Sequence, residues 1–410
     1  MKYLVQFICL AFFNSFATAQ IPLKPFPQHV AYFNGVIKPN HISQQQLDVC
    51  VTAFYNSWKQ RYIRHEAVNN QYYVWSGDAN IKKQTVSEGQ GYGMLIVTLM
   101  AGYDTVAQQM YDGLFRYYKA HPSTRSNYLM AWAQTTAFKN ADESSASDGD
   151  LDIAYSLLLA NAQWGSQHTI NYLAEAKAML GAIMQQEINA ITYSILLSNS
   201  VEQDSKDYFD MRSSDFMPAH CKEFSNITGN RIWNKVVDKN YQLFDFLQTH
   251  FSPDAGLVPD FIRHINNKPE PCGANYLESK FDGQYNYNAC RVPWRIATDY
   301  IVNGDNRSKA FIDKINRWIR STTEDNPDNI SAGYTLEGDD IRSRNFEALS
   351  FINSFAVAAM VDVKNQRWLN KLWDYSIAFD LDQFDYYDNT IKMVTMIILS
   401  GNYWSPQRGA

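Results

Sequence analysis

An all-α barrel or toroid is the fold class that this chain predicts, and three observations carry the prediction. About a dozen runs place apolar residues at helical spacing, few stretches alternate well enough to be strands, and the connections between runs are of very uneven length. With 410 residues, 46% hydrophobic and 19% charged, the chain can bury a large core. No shift of composition after residue 20 marks a linker, so residues 20–410 are expected to form a single domain.

Taken in order, Met1-Lys2 followed by an apolar run to Phe16 and then Ala17-Thr18-Ala19 reads as a secretory signal peptide over residues 1–19, cleaved near Ala19. The mature chain is then expected to be exported to the periplasm or the medium, and no later stretch is apolar enough to span a bilayer. Cleavage removes Cys9 and leaves Cys50, Cys221, Cys272 and Cys290, which permit one or two disulfides of undetermined pairing and offer no zinc spacing. Residues 20–42, with Pro22, Pro25, Pro27 and Pro39, predict an extended lead-in that wraps the domain. A helix opens at Ile42-Ser43 and runs through Leu47, Val51, Phe54 and Trp58. Similar spacing recurs at 148–164, 168–188, 230–250, 305–320, 345–360 and 387–400, where Phe311, Ile315, Trp318 and Ile319 mark one face of a helix. The longest loop, 252–287, is rich in Gly, Pro, Asn and Asp, and a loop of that length in a compact domain is usually functional.

Composition narrows the partners. Aromatic residues make up 14% of the chain, with 10 Trp and 26 Tyr, and such rings stack on the flat faces of sugars or bases. The formal net charge of −6 and the lack of a Lys/Arg cluster disfavour nucleic acid.

Two acidic segments are the candidates for chemistry. In Thr85-Val86-Ser87-Glu88-Gly89-Gln90-Gly91-Tyr92-Gly93-Met94 a carboxylate sits among three glycines, which let a ligand or another backbone come close; the run Leu95-Ile96-Val97-Thr98-Leu99-Met100 then suits a buried helix. The same pattern also fits close packing with Glu88 as an N-terminal helix carboxylate, and no Gly-Lys-Ser/Thr follows to make a phosphate loop. In Ser147-Asp148-Gly149-Asp150-Leu151-Asp152 three acids alternate before an apolar run. Ser147 or Asp148 could cap a helix there, with Asp150 and Asp152 facing its positive end; a calcium loop would need further oxygen ligands that 154–159 does not supply.

Together with Tyr285-Asn286-Tyr287-Asn288-Ala289-Cys290-Arg291-Val292-Pro293, these segments, the second extended to Gln163-Trp164-Gly165, resemble glycoside hydrolase family 8, from about residue 71 to 404. The resemblance implies an (α/α)6 barrel with an open substrate cleft at one end and inverting, endo-type hydrolysis of β-1,4-linked glycans. It implies Glu88 as the general acid and Asp148 as the aspartate beneath the cleaved sugar that helps to hold its distorted ring. Trp132 matches a sugar-stacking tryptophan, and Tyr92, Tyr287, Asn288 and Arg291 are expected to line the cleft. Arg291 could also be the buried partner of Asp148 or Asp150. Many members carry an aspartate base where this chain has Asn288, and an amide cannot take the proton. The chain is most similar to members with asparagine there, chitosanases and lichenases among them, in which a glutamate on the long preceding loop is the base; the matching residue is Glu278. An inverting pair stands roughly 6.5–9.5 Å apart to admit the water. Alternatively Glu278 is a surface acid paired with Lys280, and the chain is a carbohydrate-binding protein that has lost the chemistry. His220 and His264 are expected to be structural. The expected partner is a β-glucan or chitosan polysaccharide, with no cofactor, metal, nucleic acid or membrane, and the chain is expected to act as a monomer.

Overall fold

The structure is a computed structural model that describes residues 20–77, 83–346 and 348–407; the expected signal peptide lies outside these residues. Twelve α-helices occur among them: α1 Gln44–Tyr62, α2 Ser87–Leu99, α3 Ala107–Ala120, α4 Ser147–Trp164, α5 Tyr172–Gln186, α6 Pro218–Thr228, α7 Ile232–His250, α8 Val292–Asn303, α9 Asn306–Thr323, α10 Leu349–Ala359, α11 Gln366–Ile377 and α12 Tyr386–Leu399. The even-numbered helices form an inner ring, each packed on the next, and α12 closes it against α2. The odd-numbered helices form the outer layer, α1 on α12, α3 on α2, α5 on α4, and so on round to α11 on α10. The architecture is an (α/α)6 barrel.

The two layers differ in sequence for a physical reason. Helices α2, α4, α10 and α12 are buried along almost their whole length and carry no solvent stripe, as a helix enclosed on all sides requires. Outer helices bury one face: in α9 this is Phe311, Ile312, Ile315 and Ile319, while Trp318 is half-buried and meets Tyr334 edge-on at 4.8 Å. In α1, opened by a Ser43–Gln46 capping box, Tyr55 rather than Phe54 joins Leu47, Val51 and Trp58 in the core. A shift of one residue moves a side chain round the helix by about 100°, so the neighbouring ring takes the inner position.

The inner ring is tightened where glycines let helices touch. A Cβ on Gly91 would stand 2.8 Å from the Asp152 Cβ and 3.1 Å from the Gly149 carbonyl, and one on Gly149 would stand 2.8 Å from the Glu88 amide nitrogen. Helices α2 and α4 therefore cross in backbone contact just beside Glu88 and Asp148. Close packing and presentation of Glu88 are two uses of one glycine pattern.

The barrel has distinct ends. α2, α4 and α12 begin with cleft-lining residues, and Arg291 directly precedes α8. At the other end the lead-in of residues 20–42 straps the ring, its amides donating to carbonyls at or beyond the helix ends: Leu23 to Gln163, Phe26 to Ala101, Phe33 to Ile301, Ile37 to Met360 and Val30 to Gly401. The connections at the cleft end hold small antiparallel sheets. One joins Met211–Arg212, Phe261–Arg263 and Glu270–Pro271, so the 252–287 loop carries strands of its own. Cys50, Cys221, Cys272 and Cys290 are all free thiols, so the disulfides that an exported chain permits are not formed here.

Candidate active site

Glu88 is the second residue of α2, at the positive end of the helix. The Ser87 amide donates to the Trp132 carbonyl at 2.8 Å, which ties the start of α2 to the segment bearing Trp132. Arg291 is the hub of this end of the site. Its Nη1 donates to Glu88 Oε2 and to Asp148 Oδ2, the latter at 2.8 Å. Its Nη2 donates to Ser214 Oγ at 2.7 Å and to Asn288 Oδ1 at 3.1 Å. One guanidinium thus faces two carboxylates. Asp148 is the one that ionises: burial opposes its charge, but Arg291, Arg212 and the Gly149 amide at 2.8 Å outweigh that and hold its pKa below the usual carboxylate range. Glu88 is pushed up to about 7, by burial first and then by the Asp148 charge, against the pull of Arg291. Tyr386 completes the setting by donating its hydroxyl to Glu88 Oε1 at 3.4 Å.

Glu278 lies in a turn of the long loop, and 44% of its side chain is exposed. Its carboxylate takes one donor on each oxygen: Arg212 Nη2 at 2.8 Å on Oε1 and Asn288 Nδ2 at 2.7 Å on Oε2. It is not the partner of Lys280, whose ammonium lies over the Phe281 ring at 4.8 Å. Two buried aspartates fix the backbone on either side. Asp282 accepts from the amides of Leu277, Glu278 and Ser279 at 2.7–2.9 Å. Asp260 accepts from the amides of Asn286, Asn288 and Ala289 at 2.6–3.1 Å. Burial pushes the Asp260 carboxyl up to about 7 in spite of these bonds.

Both glutamates line one cleft of about 800 Å³. Asp148, Trp132, Tyr287, Asn288 and Arg291 line it too, and it also takes in Arg212 and residues of the segment from Asp382 to Asp388. Tyr92 is the exception. It is buried behind the lining, its ring 6.4 Å from that of Trp294 and its hydroxyl 3.5 Å from Arg295 Nη2, because it lies a full turn beyond Glu88 on the same face of α2, deeper in the barrel.

The other acids of the α4 segment serve the barrel. The residue that caps α4 is Ala146, without a side-chain bond, while Ser147 Oγ donates to the Leu196 carbonyl at 2.6 Å; neither Ser147 nor Asp148 caps the helix. Asp152 is held by both arms of Arg295 and by His220 Nε2 at 3.1 Å, and the His220 ring stacks on Tyr155 at 3.7 Å. Asp150 accepts from the Met130 amide at 2.9 Å and faces Glu187, so it is not the partner of Arg291; burial and the Glu187 charge raise its pKa. His264 pairs with Glu270 at 3.0 Å near the surface. Among the described residues no group of three His, Cys, Asp or Glu side chains is arranged to hold a metal ion.

Sequence reasoning missed Arg212, Asp260, Asp282 and the 382–388 wall. Asp385, whose side chain accepts from the Asp388 amide at the start of α12, was within reach as a capping signal. Arg212 comes from a two-residue strand with no periodic pattern to mark it.

Comparison with known proteins agrees with this geometry. Residues 33–401 match the profile of "Glycosyl hydrolases family 8". A beta-glucanase of Niallia circulans is 42% identical over 98% of this chain and 97% of its own length. An endoglucanase of Bacillus sp. (strain KSM-330) is 39% identical over 94% of this chain and 82% of its own. The apo structure of a beta-1,3-1,4-glucanase from Paenibacillus sp. X4 superposes with a TM-score of 0.89 at 43% identity, covering 93% of this chain and 99% of that one.

Proposed function

The chain belongs to glycosyl hydrolase family 8 and is a glycoside hydrolase, and from that premise we propose that it is an exported, inverting, endo-acting β-glucanase that uses Glu88 as general acid and Glu278 as general base. The observation that carries this reading is the pair itself: two carboxyls in one cleft, one at a helix start beside Asp148 and Arg291, the other on a loop beside Arg212. Glu88, pushed up to about 7, keeps its proton near neutrality. Glu278, partly exposed, meets Arg212 Nη2 at 2.8 Å. Two carboxyls on one cleft, one of them carrying a proton to give, are what glycoside hydrolysis with inversion requires.

In this mechanism the glucan lies along the cleft with a sugar face on Trp132. Asp148, ionised and fixed by Arg291, accepts hydrogen bonds from the hydroxyls of the sugar at the cleavage point, and these strengthen as the ring flattens toward the oxocarbenium geometry. Glu88 gives its proton to the glycosidic oxygen as the C–O bond breaks. Glu278 takes a proton from the water that attacks the anomeric carbon from the opposite face. Asn288 cannot be the base, but its amide, donating to Glu278 and accepting from Arg291, links the two ends of the machinery.

The names of the relatives support mixed-linkage β-1,3-1,4-glucan as the substrate over chitosan. The apolar run before Ala17-Thr18-Ala19 supports export with cleavage near Ala19, leaving one catalytic domain over 20–410 that acts as a monomer. The presence of Glu278 in the lining supports hydrolysis over glycan binding without cleavage. The test is reducing-sugar release and loss of viscosity on barley β-glucan, carboxymethylcellulose, chitosan and xylan. Endo-action on β-glucan gives a fall in viscosity well ahead of the release of reducing ends. Release from chitosan alone would overturn the substrate, and binding with no release from any polymer would favour the binding-protein reading.

A further inference from the structure

Glu278 poses a problem for a base. It sits on a loop, not on a barrel helix, and 44% of its side chain is exposed, so nothing in the packing of the core selects its rotamer. A misplaced base is costly, because the water must be held between it and the anomeric carbon, and small displacements of a reacting group lose large factors in rate.

The neighbour that answers the problem is Arg212. It belongs to the Met211–Arg212 strand, which pairs in register with Phe261–Arg263 at the root of the same loop, Arg212 opposite Phe261. Its guanidinium lies over the Phe261 ring at 5.2 Å from the centroid, and only 13% of its side chain is exposed. Nη2 reaches Glu278 Oε1 at 2.8 Å, and Nη1 stands 3.7 Å from Oδ2 of Asp215, which is wholly buried. We propose that Arg212 is the positioning residue of the general base: with the Asn288 amide it clamps the Glu278 carboxylate by one donor on each oxygen, fixing its plane. This rests on the reading of Glu278 as the base.

The clamp leaves room for chemistry. A carboxylate offers about four lone-pair sites and the two donors occupy one on each oxygen, so a second site on each oxygen remains for the attacking water. The charges around Arg212 favour the same outcome. Its charged neighbours are Asp215, Glu278, Asp148 and Arg291. Asp148 is already served by Arg291. Burial pushes Asp215 up to about 8, so below that pH it is neutral and leaves the arginine charge to Glu278.

The experiment compares Arg212→Met, Arg212→Lys and Glu278→Ala in the mature enzyme, reading kcat and KM on β-glucan, with and without added azide. Removal of the donor in Arg212→Met is expected to lower kcat roughly 100-fold with KM changed less than about threefold. Arg212→Lys, which keeps a cation and one donor, is expected to restore about tenfold of the rate. Azide needs no base: it attacks the anomeric carbon, the C–O bond breaks with the proton of Glu88 passing to the leaving oxygen, and a glycosyl azide of inverted anomer results. It should therefore raise turnover in both Glu278→Ala and Arg212→Met. If Arg212→Met does not fold, Arg212→Gln is read by the same outcomes. Wild-type kcat in either folded variant would overturn the proposal, as would a fall in kcat with no gain from azide. The assignment of the base fails separately, by wild-type turnover in Glu278→Ala.

Discussion

Glu88 leaves the second position of a helix buried along its length, whereas Glu278 leaves a turn of a surface loop with nearly half of its side chain in solvent. The first is placed by the barrel: glycines draw α2 and α4 into backbone contact, and Arg291 and Tyr386 meet the carboxyl from the starts of α8 and α12. The second is placed by polar staples, with Asp282 and Asp260 gathering backbone amides and Arg212 and Asn288 gripping the side chain. Packing tolerates little change but needs no particular polar partner, while a stapled loop is only as fixed as its individual hydrogen bonds. The acid end should therefore respond to lost volume or added bulk through stability, and the base end to lost acceptors through rate.

The largest effect is expected where chemistry alone is removed. Glu88→Gln keeps the shape and the contact with Tyr386 but has no proton to give, so kcat on β-glucan should fall roughly 10³–10⁴-fold. Its melting temperature should stay near that of the parent, since Arg291 still has Asp148. Retention of more than about a tenth of the activity would mean that Glu88 is not the donor.

Next comes the staple beneath the base. Asp282 is fully buried and accepts three backbone amides and the Ser279 hydroxyl. Asp282→Ala leaves those donors to find water, at about 1–3 kcal/mol for each that stays buried, but the turn lies at the surface and can open without unfolding the barrel. The expected result is kcat lower by roughly 10–100-fold with a small change in melting temperature, and faster amide exchange at 277–279. A large drop in melting temperature with unchanged kcat would reverse the proposed contrast between the two ends.

The pH profile separates the ends without mutation. The acid role proposed for Glu88 needs its proton, and its pKa is raised to about 7. The active fraction is full well below that value and falls as pH rises through it, so kcat/KM should drop about tenfold per unit above pH 7. Stability shifts in the same direction. Glu88, Asp260 and Asp215, raised to about 7, 7 and 8, bury neutral carboxyls that ionise near pH 4 once unfolded. Their contribution is complete below the unfolded value and is lost between about pH 4 and 8 as pH rises through the folded ones. An alkaline limb left in place by Glu88→Asp would assign it to another group.

The same contrast explains what could be read from the residues alone. The barrel was legible because its inner helices are long apolar runs and its outer ones show a single buried stripe, as in α9. Glu88 and Asp148 were legible because each opens such a run beside a glycine. Tyr92 was misplaced because motif membership says nothing about depth: it shares the Glu88 face of α2 but lies one turn further into the core. Glu278 was found only through the resemblance, and Arg212, Asp260 and Asp282 not at all: they act across 3 to 66 residues of sequence through bonds to one loop, and no periodicity records a contact of that kind.

The smallest effect should come from crowding the acid end. A Cβ at Gly91 would stand 2.8 Å from the Asp152 Cβ and 3.1 Å from the Gly149 carbonyl, closer than packed atoms allow, so α2 and α4 must move apart by a few tenths of an ångström. Overpacking of this kind costs about 1–3 kcal/mol. Alanine is also the better helix former, by about 1 kcal/mol, and this offsets part of the loss. Gly91→Ala should therefore lower stability by at most about 2 kcal/mol in denaturant titration. Glu88 sits nearly one turn away and is still gripped by Arg291, so kcat of the folded enzyme should stay within about threefold of the parent. A loss of rate here as large as in Asp282→Ala, with stability unchanged, would mean that the acid too is held by local bonds and not by the crossing of the two helices.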